Sequence, residues 1–211
     1  MIATVRLAAP ARRRQILEVA TRLFAKQGFR GTTTREIATL ARVNEALIFR
    51  HFPSKEGLYW AVLESQCRAA DARGRLRRVL ETSVGEGEAL TRLAEDILER
   101  NTRDATLARL LFFSALERHR LTDRYYRSFG TAYVDDLARY VRARVRDGRF
   151  RRVDPELAAR AFLGMVVHRF LVHELFGGKR RERLDIPRVC RGIADLWLQS
   201  MRAPRAARSG R

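Results

Sequence analysis

Apolar residues along this chain recur at helical spacing almost from end to end. Between Arg13 and Gln27, the residues Ile16, Leu17, Ala20, Leu23 and Phe24 fall on one stripe, and Gly28 supplies a stop. Thr33 and Glu36 have the T-x-x-E spacing of a capping box, which starts a second helix near Thr34 and lets it run to about Arg42. Asn44 caps a third, from Glu45 to about Phe52, before Pro53 and Ser54 break the chain. A longer pattern runs from Lys55 to about Leu80, interrupted only at Gly74, and Thr82 to Gly87 reads as a loop. Further helices are expected over 88–101, 104–119, 122–147, 155–176 and 186–201. Asp154 and Pro155 open the fourth of these, and Gly177 with Gly178 closes it. No segment alternates strictly enough to predict a strand. The expected fold class is therefore all-α.

The second and third helices raise a physical question, because isolated helices below roughly 12 to 15 residues are marginal in water. Each needs one buried face, and the pattern offers Ile37, Ala38 and Ala41 on the first and Ile48 and Phe52 on the second. Packed on helix one and the start of the long helix, they leave their opposite faces free. Two short helices joined by a tight turn form the helix-turn-helix solution for reading bases in a major groove. The expected organisation is thus a helix-turn-helix domain over 1–54, a helical bundle of about six helices over 55–201, and a disordered tail over 202–211.

Charge points the same way. The chain of 211 residues carries a formal net charge of +19, which favours polyanionic partners. Residues 1–57 hold eleven Lys/Arg against four Asp/Glu, whereas the rest holds thirty-two against twenty, so the N-terminal segment is the more basic per residue. Arginine supplies nearly all of it, Lys26, Lys55 and Lys179 being the only lysines, and a compositional bias of the genome would also produce that. Two cysteines make no disulfide framework, no secretory leader is visible and no apolar run reaches the roughly 18 residues of a membrane span. A cytoplasmic protein with no membrane association is expected.

The stretch "RRQILEVATRLFAKQGFRGTTTREIATLARVNEALIFRHFPSKEGLYWAVLE", residues 13–64, resembles the DNA-binding region of the tetracycline-repressor (TetR) family of bacterial transcriptional regulators. The resemblance rests on "LFAKQGF", "TTTREIA", the "RVN" turn and "IFRHFPSKEGL", in order and at the right spacing. It implies a dimer that joins through its last two long helices and binds double-stranded DNA at a palindromic operator, usually as a repressor released by a small molecule. By the same resemblance, Arg35 reads a base, and Glu45, Ala46, Leu47, Phe49, Arg50 and His51 line the groove-facing side of the recognition helix. Lys55 clamps the phosphate backbone, with Thr33 and Thr34 adding hydroxyl contacts. The chain departs from the family at Arg42, where glycine is usual, at Phe49, where tyrosine is usual, and at Ala46 and Leu47, which replace Gly or Pro followed by Thr. A non-glycine residue held left-handed at position 42 would cost about 1 kcal/mol.

In the body, Leu157, Ala161, Phe162, Met165, Val166, Phe170 and His173 cover more than one narrow stripe, and Val189, Ile193, Leu196 and Trp197 do likewise on the last helix. Helices apolar over so wide an arc bury two faces, one in their own domain and one against a twin, and all of these residues except Leu157 and Ala161 are the expected homodimer interface. Phe112, Phe113, Tyr126, Phe129 and Tyr133, with Glu117, are the candidate lining of a pocket for a small apolar or aromatic effector. No cofactor, metal site or catalytic group is expected: His168 and His173 are five apart, about 140° around a helix, and no nucleophile elbow, P-loop or dinucleotide fingerprint occurs. Two other classes fit the same residues, a basic protein that coats DNA without regard to sequence and a ligand-binding module whose reading head has decayed.

Overall fold

The computed structural model describes residues 8–117, 120–181 and 183–202, and among them every regular element is a helix. In chain order they are α1 (Ala9–Gly31), α2 (Thr34–Leu40), α3 (Glu45–His51), α4 (Lys55–Ala70), α5 (Ala72–Thr82), α6 (Glu86–Arg103), α7 (Thr106–Leu116), α8 (Leu121–Tyr125), α9 (Thr131–Arg146), α10 (Pro155–Phe170) and α11 (Ile186–Met201). A wider π turn over Tyr126–Gly130 joins α8 to α9, and another over Leu171–Leu175 extends α10. His119 and the tail beyond Arg202 lie outside the described residues. No described helix is long and apolar enough to cross a membrane.

The chain forms two compact units, and their limits differ from the expected division after residue 54. The first comprises the chain up to Ala70 together with Thr106–Tyr126; the second comprises Asp71–Ala105 and the chain from Arg127 onward. The reason is apolar supply. α1, α2 and α3 bury Ile16, Phe24, Ile37, Ile48 and Phe52 in a cluster that closes only with Leu58, Tyr59, Val62 and Leu63 of α4 and with Leu110 and Leu121. Tyr59, fully buried in that cluster, donates its hydroxyl hydrogen to the carbonyl of Leu110 at 2.9 Å, so α4 and α7 are walls of the first unit.

The long helix expected to run to Leu80 breaks earlier, at Asp71, which is left-handed (φ 40°, ψ 43°). Gly74, the residue that interrupts the sequence pattern, sits inside α5 and accommodates that break. A Cβ on it would stand 2.4 Å from the Asp71 carboxylate, which folds back over α5 and accepts from Arg78 at 3.2 Å.

In the second unit α6 packs against α11 and α10, and α9 against α10 and α5. Leu90, Leu93, Leu137, Val141, Phe162 and Val166 are wholly buried there. Trp197 is set edge-on between Phe150 and Phe162, with centroids 5.5 and 5.8 Å away, and its indole N–H donates to the carbonyl of Ala158 at 3.0 Å. Asp136 joins α5 to α9: its buried carboxylate accepts from Arg73 at 2.8 and 3.2 Å and from Arg139 at 2.8 Å. These hydrogen bonds, with Arg73 first, hold its pKa below the ordinary carboxylate value.

A depressed folded-state pKa means that Asp136 contributes stability above its unfolded value of about 3.9 and loses it as pH falls through the folded value. Asp136→Asn should therefore lower the free energy of unfolding at pH 7 by about 1–3 kcal/mol. Urea titrations of both proteins should show the gap closing as the pH falls below about 4.

Candidate nucleic-acid interface

The seven residues of α2 and the seven of α3 are held by capping and burial, each traceable to particular side chains. The Thr33 hydroxyl accepts from the Glu36 N–H at 3.1 Å, the first half of the expected capping box. The second half is not the role Glu36 plays, since its carboxylate instead accepts from the Gln27 side chain at 2.7 Å and ties α2 to α1. At the other end of α2, Gln15 of α1 donates to the Ala41 carbonyl at 3.1 Å. The turn that follows has the double hydrogen bond of a Schellman motif: Val43 N–H to Ala38 carbonyl at 3.0 Å and Arg42 N–H to Thr39 carbonyl at 3.1 Å. Its left-handed residue is Arg42, at φ 53°. Asn44 then caps α3 by accepting from the Leu47 N–H at 2.8 Å.

Burial does the rest. Ile48 and Phe52 are 1% and 2% exposed, so one side of α3 belongs to the core of the first unit. Arg13 lies 4.8 Å over the Phe52 ring and covers it from outside. The other side of α3 faces solvent, with Ala46, Phe49 and Arg50 exposed and Leu47 and His51 partly so. Phe49 keeps 45% of its surface in water. Arg35 and Thr33 are also exposed. Thr34 and Glu45 are bonded to each other, hydroxyl to carboxylate, which joins the starts of α2 and α3 and gives Glu45 a role in the frame. Ser54 caps α4 by accepting from the Gly57 N–H at 3.0 Å. In the first turn of α4, Lys55 holds its ammonium 4.3 Å from the centre of the Phe29 ring. Partial burial lowers the pKa of Lys55, against the raising effect of Glu56 and Glu117. Leu40, 57% exposed on α2, is a surface apolar residue absent from the expected set.

The expected effector residues are drawn from both units. Phe112, Phe113, Glu117 and Tyr126 belong to the first unit, and Phe129 and Tyr133 to the second. Glu117 accepts backbone N–H groups of Phe29 and Arg30 at the end of α1, and Tyr126 is 46% exposed. Tyr133 sits among Asp96, Arg100 and Arg75, and burial pushes its hydroxyl well above the usual tyrosine range.

The residues of the expected dimer face differ in how far they are buried in the single chain. Phe162, Val166, Phe170, His173 and Trp197 are all buried in their own unit, because that side of α10 and α11 meets α6, α9 and the Trp197 cluster. His173 faces inward beside Glu174, 3.0 Å from its carboxylate. Met165, Val189 and Ile193 are half-buried, and of the nine only Leu196 is open, at 65%. The exposed apolar stripe of α10 runs through Leu157, Ala161, Gly164 and Val167. Leu157 is 67% exposed.

Comparison with known proteins adds five findings. Residues 16–62 match the model of bacterial regulatory proteins of the tetR family, and residues 88–199 match that of the AefR-like transcriptional repressor C-terminal domain. A stretch of 50 residues is 52% identical to the HTH-type transcriptional regulator YvkB of Bacillus subtilis, covering 24% of this chain and 26% of that protein. The nucleoid occlusion factor SlmA of Vibrio atlanticus is 31% identical over 159 residues, 74% of this chain and 80% of its own. Among solved structures, AibR in complex with isovaleryl coenzyme A and operator DNA superposes with a TM-score of 0.66 at 27% identity, over 88% of this chain and 97% of that one.

The left-handed Arg42 stores strain that glycine would not. Arg42→Gly should raise the unfolding free energy of the protein by about 1 kcal/mol. The urea midpoint should move up accordingly, and an unchanged or lower midpoint would mean that the Arg42 side chain contributes more than its backbone costs.

Proposed function

Because this chain belongs to the tetR family of bacterial regulatory proteins and is a DNA-binding transcriptional regulator, we propose that it represses as a homodimer on a palindromic operator in the cytoplasm. The observation that carries the reading is α3 itself. A seven-residue helix is anchored by Ile48 and Phe52 on one side and turns Ala46, Leu47, Phe49, Arg50 and His51 outward on the other. Ala46 and Leu47 suit thymine methyl groups, Arg50 and His51 suit base edges or phosphates, and exposed Arg35 suits guanine O6 and N7. Lys55 meets a phosphate from the first turn of α4, with the Thr33 hydroxyl beside the same strand. Thr34 and Glu45 serve the site through the bond between them.

The homodimer forms through the open side of α10 and α11, where Leu157, Gly164, Val167 and Leu196 stand in water in the single chain. Met165, Val189 and Ile193 flank that side and complete the contact. Two-fold symmetry then sets two copies of α3 at a fixed separation, which a palindromic operator matches. A small-molecule effector acts through the second unit; that AibR, similar in fold, is found in complex with isovaleryl coenzyme A and operator DNA supports a ligand-responsive regulator.

Specific and non-specific binding separate in a competition experiment. A duplex selected from a random pool should bind at least roughly 10³-fold tighter than random duplex at physiological salt. Equal retention of both would favour a sequence-indifferent DNA coat. Lys55→Ala should weaken binding to every duplex and lower the slope of log affinity against log salt by about one unit. Leu196→Glu should turn the dimer into a monomer in sedimentation and lower operator affinity at least a hundredfold; a variant that stays dimeric would place the interface elsewhere.

A further inference from the structure

Arg109, Phe113 and Glu117 repeat every four residues along α7 and just past its end, and all three converge on the last turn of α1. The helical path of α1 fails there. Gly28 takes φ 75° and ψ −178°, so the N–H groups just beyond it lose their helical acceptors. The Glu117 carboxylate replaces them, accepting from Phe29 N–H through Oε2 at 3.1 Å and from Arg30 N–H through Oε1 at 3.1 Å. Arg109 serves the opposite polarity, donating from Nε to the Ala25 carbonyl at 2.7 Å and from Nη2 to the Lys26 carbonyl at 3.5 Å. Arg30 closes the ring of contacts by donating to the Glu117 carbonyl at 3.3 Å.

The fit leaves no slack. A Cβ on Gly28 would stand 2.4 Å from Glu117 Oε1 and 3.0 Å from Phe113 Cδ1. Glycine is therefore required twice, by the backbone angle and by the approach of α7. One amide that Glu117 holds belongs to Phe29, whose ring tilts against Tyr59 at 5.3 Å and carries the Lys55 ammonium at 4.3 Å. One carboxylate thus fixes a peptide, the peptide sets a ring, and the ring seats a cation.

We propose that Glu117 is a positioning residue for DNA binding: by pinning the amides of Phe29 and Arg30 it seats Lys55 where a backbone phosphate is met. The proposal rests on the reading of Lys55 as a phosphate contact given above. It also makes a prediction of sign. Charge alone says the reverse, because removing a carboxylate near phosphate weakens repulsion and tightens binding. Positioning says that Glu117→Gln weakens binding, since the amide nitrogen of glutamine opposes one of the two N–H groups instead of accepting from it.

The test measures affinity for the selected operator across a salt series, in the full chain, for Glu117→Gln, Phe29→Leu, Lys55→Ala and the Glu117→Gln/Lys55→Ala double variant. Helical content and melting temperature are recorded alongside. Glu117→Gln and Phe29→Leu should each bind about tenfold more weakly and lose about one unit of salt slope, and the double variant should fall no further than Lys55→Ala alone. Unchanged or tighter binding by Glu117→Gln, or full additivity with Lys55→Ala, overturns the proposal. An unchanged salt slope in Lys55→Ala overturns the phosphate reading itself, and the proposed route with it. Should Glu117→Gln lose its helical signal, Phe29→Leu, which keeps the grip of α7 intact, decides by the same criteria.

Discussion

A helix of seven residues makes too few internal hydrogen bonds to stand alone, so α3 exists because Ile48 and Phe52 are driven out of water. That constraint organises the first unit. Two buried side chains need a cavity of matching shape, and α1, α2, α4 and α7 together supply it. Their packing also leaves the remaining side chains of α3 nowhere to point but outward. The surface read as the DNA face is thus a consequence of how the core closes, and any change that loosens Ile48 or Phe52 disturbs it without touching a single exposed residue.

The same economy shows at the ends of the helices. Thr33, Asn44 and Ser54 each spend one side-chain oxygen on an orphan N–H, and Arg42 accepts a left-handed angle so that α2 can stop and α3 can start. The α1 terminus is handled from a distance, by Arg109 for carbonyls and Glu117 for N–H groups. Local capping and remote capping do the same chemistry. They differ in what they couple: a local cap fixes one turn, whereas Glu117 ties that turn to a helix 88 residues away in the chain.

Much of this was legible from periodicity and capping chemistry, because both are local. The stripe of α1, the buried positions of α2 and α3 and the Asn44 cap all follow from residues within a few positions of one another, whereas the strain at Arg42 is what the family resemblance implies. What was not legible depends on distant partners. The pattern of α10 shows apolar residues on two sides but not which side meets its own unit; in the single chain Phe162 and Val166 are buried and Leu157 is exposed. Nothing near Glu117 in sequence reveals the two amides it accepts from. Gly74 looked like the break in the long helix, whereas the break is Asp71, whose folded-back carboxylate needs the space that Gly74 leaves.

The central claim is that the outward face of α3, with the first turn of α4, is the surface that meets DNA. Hydrogen–deuterium exchange of the protein with and without its selected operator tests this most directly. The account predicts slowed exchange over residues 45–55 with the operator and much weaker slowing with random duplex. Protection confined to the second unit, with exchange over residues 45–55 unchanged, would contradict it.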